Sequence, residues 1–207
     1  MARPKNQALR RAQLLEAATR AVLDHGSTGT RLRDIAEQAG VTPASVLYYY
    51  PDMRELFTAV HERGLTTYCE HREQQTAQHE DVTGRLRACI RCGVPRPGET
   101  EQTSRLLYEL QSVALRDETA AAQQRTFVER QTSLYEAILE EGERSRQFRL
   151  VAPAAVLARS FVALEDGYGM DILTGAATAD DVEQRLLLHA STVTGQLALI
   201  SPDPAHS

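Results

Sequence analysis

Cysteine is scarce: the chain has three in 207 residues, too few and too odd in number for a disulfide framework, which removes the small secreted scaffolds from consideration. No apolar run approaches the ~18 residues of a membrane span. The N-terminal stretch MARPKNQALRR is basic but has no apolar segment behind it, so it does not read as a secretory leader, and the expected location is the cytoplasm. Histidines are dispersed at positions 25, 61, 71, 79, 189 and 206, without the H-E-x-x-H spacing of a helical zinc site. Period-two alternation is also missing over any length that would make a strand. These absences leave an all-α protein of one to two domains, with 42% hydrophobic residues to build a core. No cofactor is implied, and the chain does not read as an enzyme.

A net charge of −5 argues against a nucleic-acid partner until it is divided along the chain. Residues 1–57 carry eight Lys/Arg against six Asp/Glu, and residues 58–207 carry fifteen against twenty-two. Arg3, Lys5, Arg10 and Arg11 all precede the first carboxylate, Glu16. A basic arm of this kind suits attraction to phosphates.

Leu14, Leu15, Ala18, Val22 and Leu23 recur at helical spacing from about Gln7 to His25, where Gly26 ends the pattern. The stretch RLRDIAEQAGVTPASVLYYYPDMRELF, residues 31–57, then reads as a helix-turn-helix. Ile35, Ala36 and Ala39 give the first helix its small apolar face, Gly40 supplies a positive φ at its end, and Thr30 stands ready as its N-cap. Thr42 caps the second helix, with Pro43 at its first position. That helix, residues 43–50, is about two turns long and turns Val46 and Tyr50 inward, leaving Ser45, Leu47, Tyr48 and Tyr49 outside. The outward tyrosines read two ways, as a cover for a small domain or as a surface for phosphates and base edges.

Beyond Pro51 and Asp52 a connecting helix runs from Met53 to about Thr76, with Gly64 as a possible soft point. A short helix from Val82 to Val94 carries Cys89 and Cys92, which read as buried free thiols or, alternatively, as part of a metal- or thiol-dependent sensor or enzyme. Pro95 to Gly98 is a break, and four helical tracts follow at about 99–115, 117–147, 153–174 and 179–200. The last two are apolar on more than one face. One face can line the chain's own core, and the surplus is expected to meet a second copy in a four-helix interface. A two-fold dimer would set two reading helices about 34–36 Å apart, as a pseudo-palindromic operator requires.

The run I-A-x-x-A-G-V-T at Ile35 to Thr42, with Thr30 before it and the aromatic end at Tyr48 to Tyr50 after it, resembles the TetR family of transcriptional regulators. Two positions depart from the family pattern. Leu47 stands where a Tyr is common, and Met53 where a phosphate-contacting Lys is common, with Arg54 one residue on as its replacement. The resemblance implies a three-helix DNA-binding head at residues 1–51 and a helical ligand-binding and dimerisation domain at 52–207. It also implies DNA contacts from Thr30, Arg31, Thr42, Pro43, Ala44, Ser45, Leu47, Tyr48, Tyr49 and Arg54. A small-molecule effector would bind in the second domain and release the repressor from its double-stranded operator. Polar groups set among apolar ones nominate Tyr108, Glu109, Tyr135, Glu165 and Tyr168 for that ligand. Glu165 and Asp166 invite either an amine-bearing ligand or pairing with Arg105, Arg159 or a dimer mate, since unpaired buried carboxylates are costly.

Overall fold

The computed structural model describes residues 3–200, with side chains from residue 7. All regular structure among them is helical: α1 (Arg3–Gly29), α2 (Leu32–Gln38), α3 (Pro43–Tyr49), α4 (Met53–Ala77), α5 (Val82–Gly93), α6 (Glu99–Ala114), α7 (Glu118–Arg144), α8 (Ala154–Leu173), α9 (Ala179–Thr194) and a 3-10 turn at Leu197–Ile200. The side chains of Arg3 and Lys5, half of the expected basic arm, lie outside the described residues.

Most boundaries fall where local chemistry places them. Gly26 (φ 71°, ψ 164°) breaks α1 before its last residues, and Gly40 and Gly175 leave α2 and α8 with positive φ. Thr42, Asp81 and Thr178 cap α3, α5 and α9, each side chain accepting a backbone N–H three residues on. Asp117 does the same for α7, accepting from the Ala120 N–H at 2.9 Å. Two expectations fail. Pro153 is the N-cap of α8 and not its first helical residue. The α9 helix stops at Thr194, because Gly195 adopts the left-handed conformation (φ 66°), and the apolar residues after it form only the 3-10 turn. At Gly64, the expected soft point, α4 is unbroken, and a Cβ there would press on Leu107 Cδ2 at 3.0 Å, so the glycine eases a close approach of α6.

The helices fall into two compact units. Of the described residues, the first comprises those up to 66 together with 102–125, and the second 67–101 with those from 126 on. In the first, Leu14, Ala18, Val22, Ile35, Val46, Tyr50, Leu56 and Val60 form a continuous core with Leu106 and Leu110 of α6. In the second, α5, α7, α8 and α9 bury Leu86, Ile90, Leu139, Phe161, Leu186 and Leu187 together. Apolar side chains are nonetheless left on the surface of α8 and α9, with Val156 60% exposed, Leu188 58% and Met170 43%.

Candidate DNA interface and effector site

Two buried anchors orient α3. Val46 and Tyr50 are sunk in the first core, and Arg11 from α1 lies over the Tyr50 ring at 5.0 Å. Fixing that side points Pro43, Ala44, Leu47 and Tyr48 at solvent, and Tyr48 is 74% exposed. Tyr49 departs from expectation: it is half-buried against the core and meets the Tyr48 ring edge-on at 5.1 Å, so it braces its neighbour. The start of α3 is doubly held. Thr42 Oγ1 accepts the Ser45 N–H at 3.2 Å and pairs with the Ser45 hydroxyl at 3.0 Å. Nearby, the Asp34 carboxylate accepts the Arg31 N–H at 2.8 Å, a bond that holds its pKa below the usual value and leaves the Arg31 and Arg33 side chains exposed.

Two nominated DNA contacts are occupied within the chain. Thr30 is not the N-cap of α2; that position is Arg31. The Thr30 hydroxyl is buried and donates to the carbonyls of Ala21 (3.0 Å) and Gly26 (2.7 Å), the latter also accepting the Thr30 N–H at 3.1 Å. Arg54, expected to replace the missing phosphate-binding lysine, donates to Asp117 at 2.8 Å.

The second unit contains a buried polar cluster that sequence reasoning only half identified. Arg72 of α4 is buried with its guanidinium between three oxygens. Nη2 donates to Glu165 Oε1 at 2.6 Å, Nη1 to Gln131 Oε1 at 2.8 Å, and Nη1 lies 3.5 Å from the Tyr68 hydroxyl. Tyr135 donates its O–H to the same Glu165 oxygen at 2.5 Å, and its ring lies under Arg72 at 4.8 Å. Phe161 stacks on Tyr135 at 4.7 Å, while Phe127 meets Tyr68 edge-on at 5.4 Å. Gly93 of α5 gives Glu165 its seat, since a Cβ there would fall inside the carboxylate. Burial raises the pKa of Glu165, with Arg72 and Tyr135 opposing it. For Arg72 burial acts against the charge, and the Glu165 carboxylate beside it outweighs burial and holds the guanidinium charged.

The family model for bacterial regulatory proteins of the tetR type matches residues 14–60, and the model for the C-terminal part of BetI-type transcriptional repressors matches residues 82–194, more than half of the chain. The chain belongs to the TetR family. It is a ligand-responsive, DNA-binding transcriptional regulator. The HTH-type transcriptional regulator YfiR of Bacillus subtilis is 24% identical over 76% of this chain and 77% of its own length. Among solved structures, a TetR regulator from Haloarcula marismortui superposes with a TM-score of 0.81 at 21% identity, covering 90% of this chain and 99% of that one. A transcriptional regulator from Saccharomonospora viridis, solved with choline, gives 0.80 at 22% identity, covering 86% and 94%.

Within this TetR-family chain the five nominated ligand residues do not form one group. Tyr135 and Glu165 meet in the buried cluster. Glu109 belongs to the other unit, where its carboxylate accepts the Ser27 N–H at 3.0 Å and braces the break in α1; Tyr108 is its half-buried neighbour on α6. Tyr168 is half-buried on α8 with Arg185 over its ring at 5.8 Å. Glu165 pairs with neither of its expected partners, Arg105 and Arg159, but with Arg72. The missed residues are Arg72, Gln131 and Tyr68. Arg72 was findable, because Leu65, Cys69, Arg72 and Thr76 follow one inward stripe of α4 and all four are buried.

Among the described residues no three His, Cys, Asp or Glu are placed to hold a metal ion. Cys69 and Cys89 are buried free thiols, each pushed up to about 11 by burial, so both are protonated at neutral pH. Iodoacetamide at neutral pH should therefore label the half-buried Cys92 first, and Cys69 and Cys89 only after denaturation, as read by peptide mass; prompt labelling of Cys89 in the native protein would contradict this burial.

Proposed function

We propose that the protein is a repressor that holds a pseudo-palindromic duplex operator as a homodimer and leaves it when an organic cation binds the body. In this reading residues 1–51 are the DNA-binding head and 52–207 the effector-binding and dimerising domain. The observation that carries it is α3, a capped helix pinned by Val46 and Tyr50 so that Ala44, Leu47 and Tyr48 stand clear in a row. Leu47 suits a thymine methyl and Tyr48 a base edge, while Arg31, Thr42, Pro43, Ser45, Tyr49 and the basic arm position the head on phosphates. Thr30 is left out because its hydroxyl proton is engaged inside, and Arg54 because Asp117 already holds it.

The exposed Val156 and Met170 of α8 and Leu188 of α9 support pairing of two copies through those helices. An organic cation as effector is supported by rings and a carboxylate gathered in one unit, Tyr135 on Glu165 with Phe161 stacked behind it and Tyr68 backed by Phe127, and by the choline held in the Saccharomonospora viridis regulator. An effector releases DNA only to the extent that it binds better to the conformation that cannot fit the operator. No described helix is long and apolar enough to cross a membrane.

Titrating the protein into labelled duplex from its own upstream region, across a range of salt, tests the reading. Tyr48→Ala is expected to weaken operator binding by about 1–3 kcal/mol while leaving non-specific binding nearly unchanged. Equal losses on specific and random duplex would remove Tyr48 from base recognition.

A further inference from the structure

The buried cluster of the second unit is a cation box with its occupant already supplied, and the fit of that occupant is incomplete. Arg72 reaches Glu165 through a single nitrogen–oxygen pair, where a guanidinium and a carboxylate can form two parallel bonds. Its Nε has no partner, and neither does Glu165 Oε2, although the two side chains are only 1% and 4% exposed. The Cζ of Arg72 lies well placed over Tyr135 at 4.8 Å but 6.0 Å from the Tyr68 ring, at the outer limit of cation–π attraction. Native interiors rarely leave a buried donor and a buried acceptor unpaired in the same cluster.

We propose that the box formed by Tyr68 and Tyr135 at the Arg72–Glu165 pair, backed by Phe127 and Phe161, is a site for a compact organic monocation, such as a methylated ammonium or an alkylguanidinium, which enters by exchanging with the Arg72 guanidinium. Exchange of one monocation for another never leaves the buried carboxylate bare, a state that would be severely destabilising. Glu165 supplies the charge that the incoming cation needs, and its unpaired Oε2 is available to a ligand N–H. Along α4 at i+4 from Arg72, Thr76 Oγ1 is also buried without a partner, a polar atom on the same face for the displaced guanidinium. The resident arginine sets the affinity, because a ligand that can bind only when the box is vacated is weakened by the fraction of time the box is filled. Arg72 lies on the helix that starts at Met53, directly after the head, so the exchange changes what holds α4.

The physiological meaning of the exchange rests on the organic-cation reading of the effector, but the exchange itself is tested without DNA. Methylguanidinium is titrated into the full-length protein at constant ionic strength. Tyrosine fluorescence is the readout, since the chain has no tryptophan to mask it, with calorimetry for stoichiometry. Wild type should bind one equivalent weakly, Arg72→Met about tenfold tighter or more, and Arg72→Met/Glu165→Gln not at all. A folded Arg72→Met that binds no tighter than wild type, or a double variant that binds as well as the single one, overturns the proposal. Should Arg72→Met prove too unstable to isolate, Arg72→Lys decides, because its shorter head fills the box less well: tighter binding than wild type supports exchange and unchanged affinity overturns it. Operator binding that ignores a cation shown to occupy the box would sink the effector reading alone and leave the exchange standing.

Discussion

Glu165→Leu is expected to lower the stability of the protein by about 3–5 kcal/mol, the largest effect of any single substitution considered, because it strands a fully buried guanidinium. The loss has three parts. Arg72 Nη2 loses its carboxylate, the Tyr135 hydroxyl loses its acceptor at 2.5 Å, and a positive charge remains among rings that offset only part of its desolvation. Arg72→Met should cost a similar amount by leaving the carboxylate bare. Changing both to Met and Leu removes the charges together, and the double variant should recover most of the stability, since an apolar pair of comparable volume replaces a buried ion pair at little cost. Urea denaturation followed by circular dichroism measures all three. Losses that simply add in the double variant would mean that the two groups do not act as a pair.

Leu188→Glu should convert the proposed homodimer to a monomer and weaken operator binding by about 10²–10⁴, because two heads joined across one operator bind with an effective concentration that a free head lacks. Leu188 is 58% exposed on α9, and along α8 Val156, Ala163, Gly167 and Met170 are exposed at helical spacing. Gly167 has no neighbour within 4 Å of where a Cβ would stand, so another backbone can approach it closely. A carboxylate placed among such residues must be dehydrated on pairing, whereas on an isolated chain it would sit in water. Sedimentation should therefore show half the mass with the helical content unchanged. A Leu188→Glu protein that sediments like wild type would remove α9 from the interface.

Where the determinant was a residue and its near neighbours, the sequence could be read. Gly26 and Gly40 marked helix ends, Thr42 marked a start, and Val46 with Tyr50 identified the inner face of α3. Gly195 was missed because Leu197, Leu199 and Ile200 continue the apolar pattern beyond it, and periodicity outvoted one glycine. The side-chain roles went astray wherever a partner came from far along the chain: Asp117 for Arg54, Ser27 for Glu109, Arg72 for Glu165. Nothing in the order of residues announces such meetings. Glu165 was singled out as a carboxylate that needed a partner, but the neighbours of Arg72, Glu70, His71 and Glu73, mask the inward stripe that it shares with Leu65, Cys69 and Thr76.

Gly93 and Glu165 should vary as a unit in the descendants of this gene. The carboxylate lies where a methyl group at residue 93 would stand, so a lineage that acquires alanine there must shorten or neutralise position 165, and Arg72 is then released from its constraint. A change at position 165 would therefore come before loss of the glycine, and, under the proposed cation exchange, sequences in which all three positions have drifted together should recognise molecules of a different charge.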